Sequence, residues 1–174
     1  MKKGNLSKNK RPIFKIANSP LDWLGEFLAL LGILIMAGAI ARYYPQLPAT
    51  IPTHFNGAGQ VDGWGGKNTL FMMPALGILL IYLPMTIMQR FPQIYNYMWA
   101  ITEENARVQY QMARTFMIWL KTETVWMFTV ISWYTIQMAL KNYHQPNINY
   151  FVFPMLAIMA FTIALYMYLG NKAK

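Results

Sequence analysis

The residues best placed for chemistry lie in one stretch, PQLPATIPTHFNGAGQVDGWGGKN, between Pro45 and Asn68. His54 and Asp62 could share a metal or orient a nucleophile. Two ligands are too few for a committed metal site, and no HxxxH or HExxH spacing occurs. No GxSxG stands near the pair, so a Ser nucleophile has no elbow there. The glycines end in GWGGKN, not in the GxxxxGK[ST] of a phosphate-binding loop. No catalytic residue, metal site or cofactor is therefore assigned. At 24 residues the stretch is longer than idle connections tend to be. Pro48 and Pro52 stiffen its first half into extended backbone, and Asn56-Gly57 and Asp62-Gly63 are turn dipeptides. His54, Asn56, Asp62, Trp64 and Lys67 are the candidate ligand-binding residues. The plainer alternative is that His54, Asn56 and Asp62 satisfy backbone groups within a folded loop.

A second group lies between residues 89 and 123. RFPQIYNYMWA is aromatic and polar, as a membrane interface favours. Thr102 caps an expected helix whose first residues are Glu103 and Glu104, where acidic groups suit the positive end of the helix dipole. Glu103 and Arg107 are spaced to pair. Arg107, Arg114 and Lys121 recur every seven residues and fall on one stripe. The spacing predicts either a solvated charged face or a docking surface for a cytoplasmic partner, formed by Glu103, Glu104, Arg107 and Arg114. Lys121 is expected to snorkel at the membrane boundary, with Glu123 just inside it.

The elements that position these groups follow from composition. The 174 residues are 56% hydrophobic and 12% charged, where a soluble domain is roughly 25% charged. The net charge of +9 accompanies greasy segments, which points to cationic flanks of membrane spans and not to nucleic acid. The absence of cysteine excludes disulfides, thiolate catalysis and Cys-based zinc sites. Four stretches are apolar enough to span: Trp23 to Tyr44, Thr69 to Met88, Thr124 to Leu140 and Phe151 to Leu169. No ionisable residue is expected at mid-membrane. The expected fold is an all-α integral membrane protein with four transmembrane helices. Its third helix, about 40 residues long, extends into the cytoplasm.

Lys and Arg concentrate in both tails and in the middle segment. That sets both termini inside and the 45–68 loop outside, in the cytoplasmic membrane of a bacterial cell. The chain divides into a basic tail (1–21), a membrane unit of span, outer loop and span (22–88), and a segment holding the extended helix and last span (89–174). The tail, with Lys2, Lys3, Lys8, Lys10, Arg11 and Lys15, is expected to be mobile and to lean on anionic lipid headgroups. Ala37-Gly38-Ala39 resembles a signal-peptide cleavage site, but the apolar run has the length of a full span. Gly25/Ala29 and Ala37/Ala41 are small-residue pairs that allow helices to approach closely. Pro74 and Pro84 favour kinks in the second span.

The pattern LPxxIPxHFNxxGxxDxWGxK resembles an uncharacterised bacterial membrane domain family. That domain also opens the SdpI-type immunity proteins, which protect cells from a secreted toxin. Leu47, Pro48, Ile51, Pro52, His54, Phe55, Asn56, Gly59, Asp62, Trp64 and Lys67 carry the match, and it covers residues 22–88. Tyr95–Arg114 also resembles a stretch that follows this domain in some stand-alone members. The resemblance implies a non-catalytic membrane protein that meets a peptide or envelope ligand outside and a protein partner inside. Two alternatives rest on residues instead: the Pro-kinked second span with the polar Ser132, Thr135 and Gln137 of the third would suit a small transporter, helped by oligomerisation, and the His54–Asp62 pair an enzyme at the outer face.

Overall fold

The computed structural model describes residues 6–141 and 147–174; Lys2 and Lys3 lie outside them. The chain is mostly helical, with one small hairpin. Helix α1 is Pro20–Tyr43 and leads into strands β1 (Thr50–Phe55) and β2 (Val61–Gly66). Short helices α2 (Met72–Leu76) and α3 (Leu83–Met88) flank a widened π-helical stretch, Gly77–Tyr82. Helices α4 (Ala106–Ala139) and α5 (Asn149–Lys172) complete the chain. Three helical stretches are long and apolar enough to cross a membrane: Pro20–Gln46, Lys67–Met88 and Asn149–Lys172. On α5 the apolar side chains Phe153, Leu156, Ile158 and Phe161 face outward. Such a surface fits a lipid environment and not water.

Helix α1 begins where Ser19 and Asp22 cap each other and Pro20 opens the first turn. Ser19 Oγ accepts from the Asp22 amide and Asp22 Oδ2 from the Ser19 amide, which satisfies two end groups at once. Asp22, Gly25, Ala29, Gly32, Met36 and Ile40 form its buried stripe. That stripe packs on α4, and the two helices run parallel. Gly25 and Gly32 permit the close approach: a Cβ on Gly25 would lie 2.6 Å from Ile118 Cγ2, and one on Gly32 3.0 Å from Val125 Cγ1. Of the two small-residue pairs, Gly25/Ala29 serves this contact. Ala37 and Ala41 are exposed instead.

Helix α4 meets α1 and the segment before it through two polar series, each with a seven-residue step. Thr115 donates to Asp22 Oδ1 (2.6 Å), Thr122 to the Gly25 carbonyl (2.9 Å) and Thr129 to the Gly32 carbonyl (3.1 Å). Gln111 and Trp126 add bonds to Asp22 and to the Leu28 carbonyl. The cationic series does not form one solvated face: Arg107 is exposed, Arg114 half-buried and Lys121 buried. Arg107 lies 4.8 Å over the Phe14 ring, Arg114 donates to the Ile16 carbonyl (2.5 Å), and Lys121 pairs with Glu26. Among the described residues no ion pair joins Arg107 to Glu103.

Lys121 therefore does not snorkel. It is completely buried, with Nζ 2.8 Å from both Glu26 oxygens and 2.9 Å from Thr86 Oγ1. Gln89 Nε2 donates to the same carboxylate at 2.8 Å. An ammonium with its three protons engaged is tolerable where an unpaired one is not. The pair ties α1, α3 and α4 together.

The tail is also unlike its expectation, because the described part is docked. Arg11 is 9% exposed and donates to the Gln93 and Tyr95 carbonyls. Phe14 and Ile16 pack against a core of Trp99, Ile101, Ala106 and Tyr110. Tyr95 and Tyr97 donate to the Met88 and Pro92 carbonyls. Burial pushes the Tyr95 phenol up to about 12 and the Tyr97 phenol higher still. Both therefore stay protonated donors at neutral pH. Helix α4 starts at Ala106, later than its acidic residues suggested. Thr102 and Asn105 cap each other across the preceding turn, leaving Glu103 and Glu104 exposed on it.

Replacing Lys121 with Met should cost about 3 kcal/mol, since it strands the Glu26 carboxylate inside the bundle. A double Glu26→Gln, Lys121→Met variant should recover most of that loss. Thermal unfolding in detergent checks both. Equal losses in the single and double variants would show that packing, and not the stranded charge, sets the effect.

Candidate functional site

The 45–68 loop is not irregular. It forms an antiparallel hairpin that departs from the all-α expectation, with Thr50 opposite Gly66, Ile51 opposite Gly65 and Pro52 opposite Trp64. Register shifts flank His54, which faces Gly63. Glycine is required there, because a Cβ on Gly63 would lie 2.8 Å from His54 Cβ. Asn56 shapes the tip: its Oδ1 accepts from the Ala58 and Gln60 amides at 2.9 and 3.0 Å. Gly59 takes the positive φ of 74° that closes the turn. Asp62-Gly63, expected as a turn, lies within β2.

The hairpin leans on the bundle. Ile51 and Leu47 join Met36, Ile40, Leu70, Ile136 and Ala139 in a core at this pole. Phe55 meets Tyr134 edge-on at 5.3 Å. The tip is clipped to the start of α5: Asn147 Nδ2 donates to the Ala58 carbonyl (2.6 Å) and Asn149 Nδ2 to the Gly57 carbonyl (2.9 Å). These bonds fix the hairpin relative to α5 across a sequence gap of about ninety residues.

The structure brings only some of the candidate residues together. His54 Nδ1 lies 2.5 Å from Asp62 Oδ1 on the open face of the hairpin, with side chains 70% and 44% exposed. Trp64 is also exposed on β2. Asn56 is consumed by the turn, as the plainer alternative held. Lys67 stands apart at the base of the hairpin, 4.7 Å over the Tyr44 ring, and the Tyr44 hydroxyl bonds Asn68. Among the described residues no three His, Asp or Glu side chains converge as a metal site would require.

Behind the hairpin is a cavity of about 370 Å³ between β1, the Lys67–Met88 helix, α4 and α5. Ile51, Leu70, Ile131 and Val152 give it an apolar wall, while Thr53, Ser132, Thr135 and Asn149 add polar groups. Ser132 is 1% exposed, and its hydroxyl has no hydrogen-bond partner. A buried hydroxyl left unbonded forfeits free energy that a bound group could restore. Mostly apolar walls with a few fixed polar groups are the usual make-up of a small-ligand site. His54 and Asn56 stand at the rim. Ser132 and Thr135, which the sequence offered only as polar residues of the third span in favour of transport, thus join Thr53 at the cavity wall.

The tail-side candidates are largely occupied within the chain. Arg107 and Arg114 hold the N-terminal segment, and Glu103 and Glu104 are exposed on the turn beside them. Glu123 Oε1 accepts from Thr162 at 2.6 Å. Thr162 lies at the middle of α5, and Glu123 Oε2 is buried without a partner.

Residues 31–78 match a family described as Domain of unknown function (DUF1648). The match covers the second half of α1, the hairpin and the start of the next apolar helix, so it contains most of the hairpin pole. The chain is 38% identical over 93 residues to an uncharacterized protein of Archaeoglobus fulgidus. That alignment covers 47% of this chain and 50% of the archaeal protein, so the chain spans about half the length of the curated relative it matches. No solved structure matches. The sequence resemblance to a domain family without an assigned activity is borne out over residues 31–78.

Proposed function

We propose that the protein is a non-catalytic, four-span membrane protein that recognises a small or peptide ligand in the cavity behind the hairpin. In this reading α4 is the fourth crossing. Both termini face the cytoplasm, and the hairpin faces outward from a bacterial cell membrane. The observation that carries it is the cavity floored by the unbonded Ser132 hydroxyl. The hairpin forms one wall and is pinned to α5, so ligand entry acts on the packing of α5 against α4. The tail-side end of the same α4 holds the N-terminal segment, which gives a route for reporting occupancy to a cytoplasmic protein. The SdpI-type resemblance supports a peptide toxin as the ligand. His54 and Asp62 are open to water, which suits orientation of the hairpin rim better than enclosed catalysis.

One observation favours a second reading, transport. Glu123 brings an ionisable group to the middle of α5, where coupling groups of carriers sit. Proton-coupled flux into proteoliposomes, abolished by Glu123→Gln, is what that reading requires. Flux unchanged by the substitution would reject it.

Recognition is tested by filling the cavity. Cells producing the wild-type chain should survive a membrane-active peptide toxin at doses that kill cells lacking it. Ser132→Phe should remove that protection by about tenfold or more in tolerated dose, at equal membrane abundance. Protection that survives the Phe substitution would reject the cavity as the recognition site. A toxin-independent phenotype in wild-type cells would reject the immunity reading.

A further inference from the structure

The opposite pole carries a different site. Where the N-terminal segment crosses the chain after α3, a cavity of about 170 Å³ is lined by Lys15, Arg90, Arg114, Gln89, Phe14 and Pro92, with Ile16 closing it. Three cations line it and no carboxylate does. Among the described residues none of the three has a carboxylate partner. The carboxylate behind the wall is Glu26, reached through Gln89, and Lys121 already neutralises it.

The donors are also incompletely used. Arg114 donates through one terminal nitrogen to the Ile16 carbonyl, while its Nε is buried without an acceptor. Gln89 Oε1 is buried without a donor. Arg11, on the same segment but outside the cavity lining, is 9% exposed, with its own Nε unpartnered. Clustered cations repel one another unless an anion answers them, and the buried Nε of Arg114 adds a desolvation cost. Arginine and lysine together, with one neutral acceptor, match a phosphate group bearing a hydroxylated substituent.

We infer that this pocket binds the phosphate of an anionic ligand. The inference rests on the bilayer placement proposed above, which puts the ends of α1 and α3 at the headgroup level. It does not depend on the hairpin cavity or on which side the hairpin faces. Two sources share this chemistry: a phospholipid headgroup and free phosphate. The N-terminal segment forms one wall, so the bound phosphate also fastens that segment to α4.

The test uses the purified full chain in a neutral detergent, with tryptophan fluorescence as readout. The probes are dioctanoyl phosphatidic acid, dioctanoyl phosphatidylcholine and inorganic phosphate. Lys15 and Arg90 are exposed and make no hydrogen bond that the fold depends on, so Lys15→Gln with Arg90→Gln removes pocket charge and leaves the fold intact. Lys8→Gln with Lys10→Gln removes the same charge from exposed positions outside the pocket. Phosphatidic acid should bind, phosphatidylcholine should bind more weakly, and the pocket pair should weaken the former by about tenfold or more. The distal pair should change it by less than about twofold. Inorganic phosphate showing the same variant pattern identifies free phosphate as the ligand; a response to lipid alone identifies a headgroup. Equal weakening by both pairs, or no response to any anionic probe, overturns the inference.

Discussion

A polar group shut away from water needs a partner inside the protein, and α4 carries many such groups. Two series on it of seven-residue step, three threonines and three cations, all find a partner within the first 32 residues of the chain. The threonines meet Asp22 and two carbonyls of α1, and the cations meet Phe14, the Ile16 carbonyl and Glu26. A seven-residue step keeps a contact line in register between two helices with a slight supercoil. The remaining elements attach to this α1–α4 pair. Gln109 illustrates the economy: it is fully buried, receives the Trp99 indole, and donates to the Gly170 and Ala173 carbonyls at the end of α5. One side chain thus satisfies carbonyls that the end of a helix leaves orphaned.

The two poles are built differently. At the hairpin pole, strands supply backbone pairing where helices end, and Asn147 and Asn149 fasten the tip to α5. The cavity is the gap left between a flat hairpin and round helices. It survives because the residues around it are held from outside, by the hairpin clips and by the core of Ile51, Leu70 and Ile136. At the tail pole the aromatic segment folds back on α4 and traps the N-terminal strand of Arg11, Phe14 and Ile16. Interior space there is polar and cationic, whereas at the hairpin pole it is mostly apolar. That contrast is why the two cavities call for different ligands.

Much of the helical architecture was legible in the residues because apolar length is a local property. Three of the four stretches read as spans satisfy length and hydropathy in the structure. The fourth lies in a continuous 34-residue helix, as the missing helix breaker implied. Thr102 was read as the cap of a helix starting at Glu103, but it only closes a turn with Asn105, and the helix starts at Ala106. What failed to show were partners distant in sequence. Lys121 looked like a snorkelling boundary residue because nothing local identifies Glu26 as its counter-ion. Asp62-Gly63 looked like a turn because the dipeptide is permissive and only the register with His54 makes it strand. Arg107 and Arg114 looked free for an external partner because the docked tail is a tertiary event. In the candidate site, His54 and Asp62 were found by their chemistry and do meet. Ser132 was legible as a polar residue inside an apolar span but not as part of a binding site, because its lack of a partner is visible only in three dimensions.

The proposed function turns on α4 crossing the bilayer alongside α1. The native chain has no cysteine, so single cysteines at Ala58, Lys174 and Lys10 can be probed with a membrane-impermeant maleimide in intact cells and in opened membranes. The account requires the position-58 thiol to label in intact cells, and those at 174 and 10 only after the membrane is opened. Labelling of position 174 together with position 58 from outside would mean that α4 does not cross, and would contradict it.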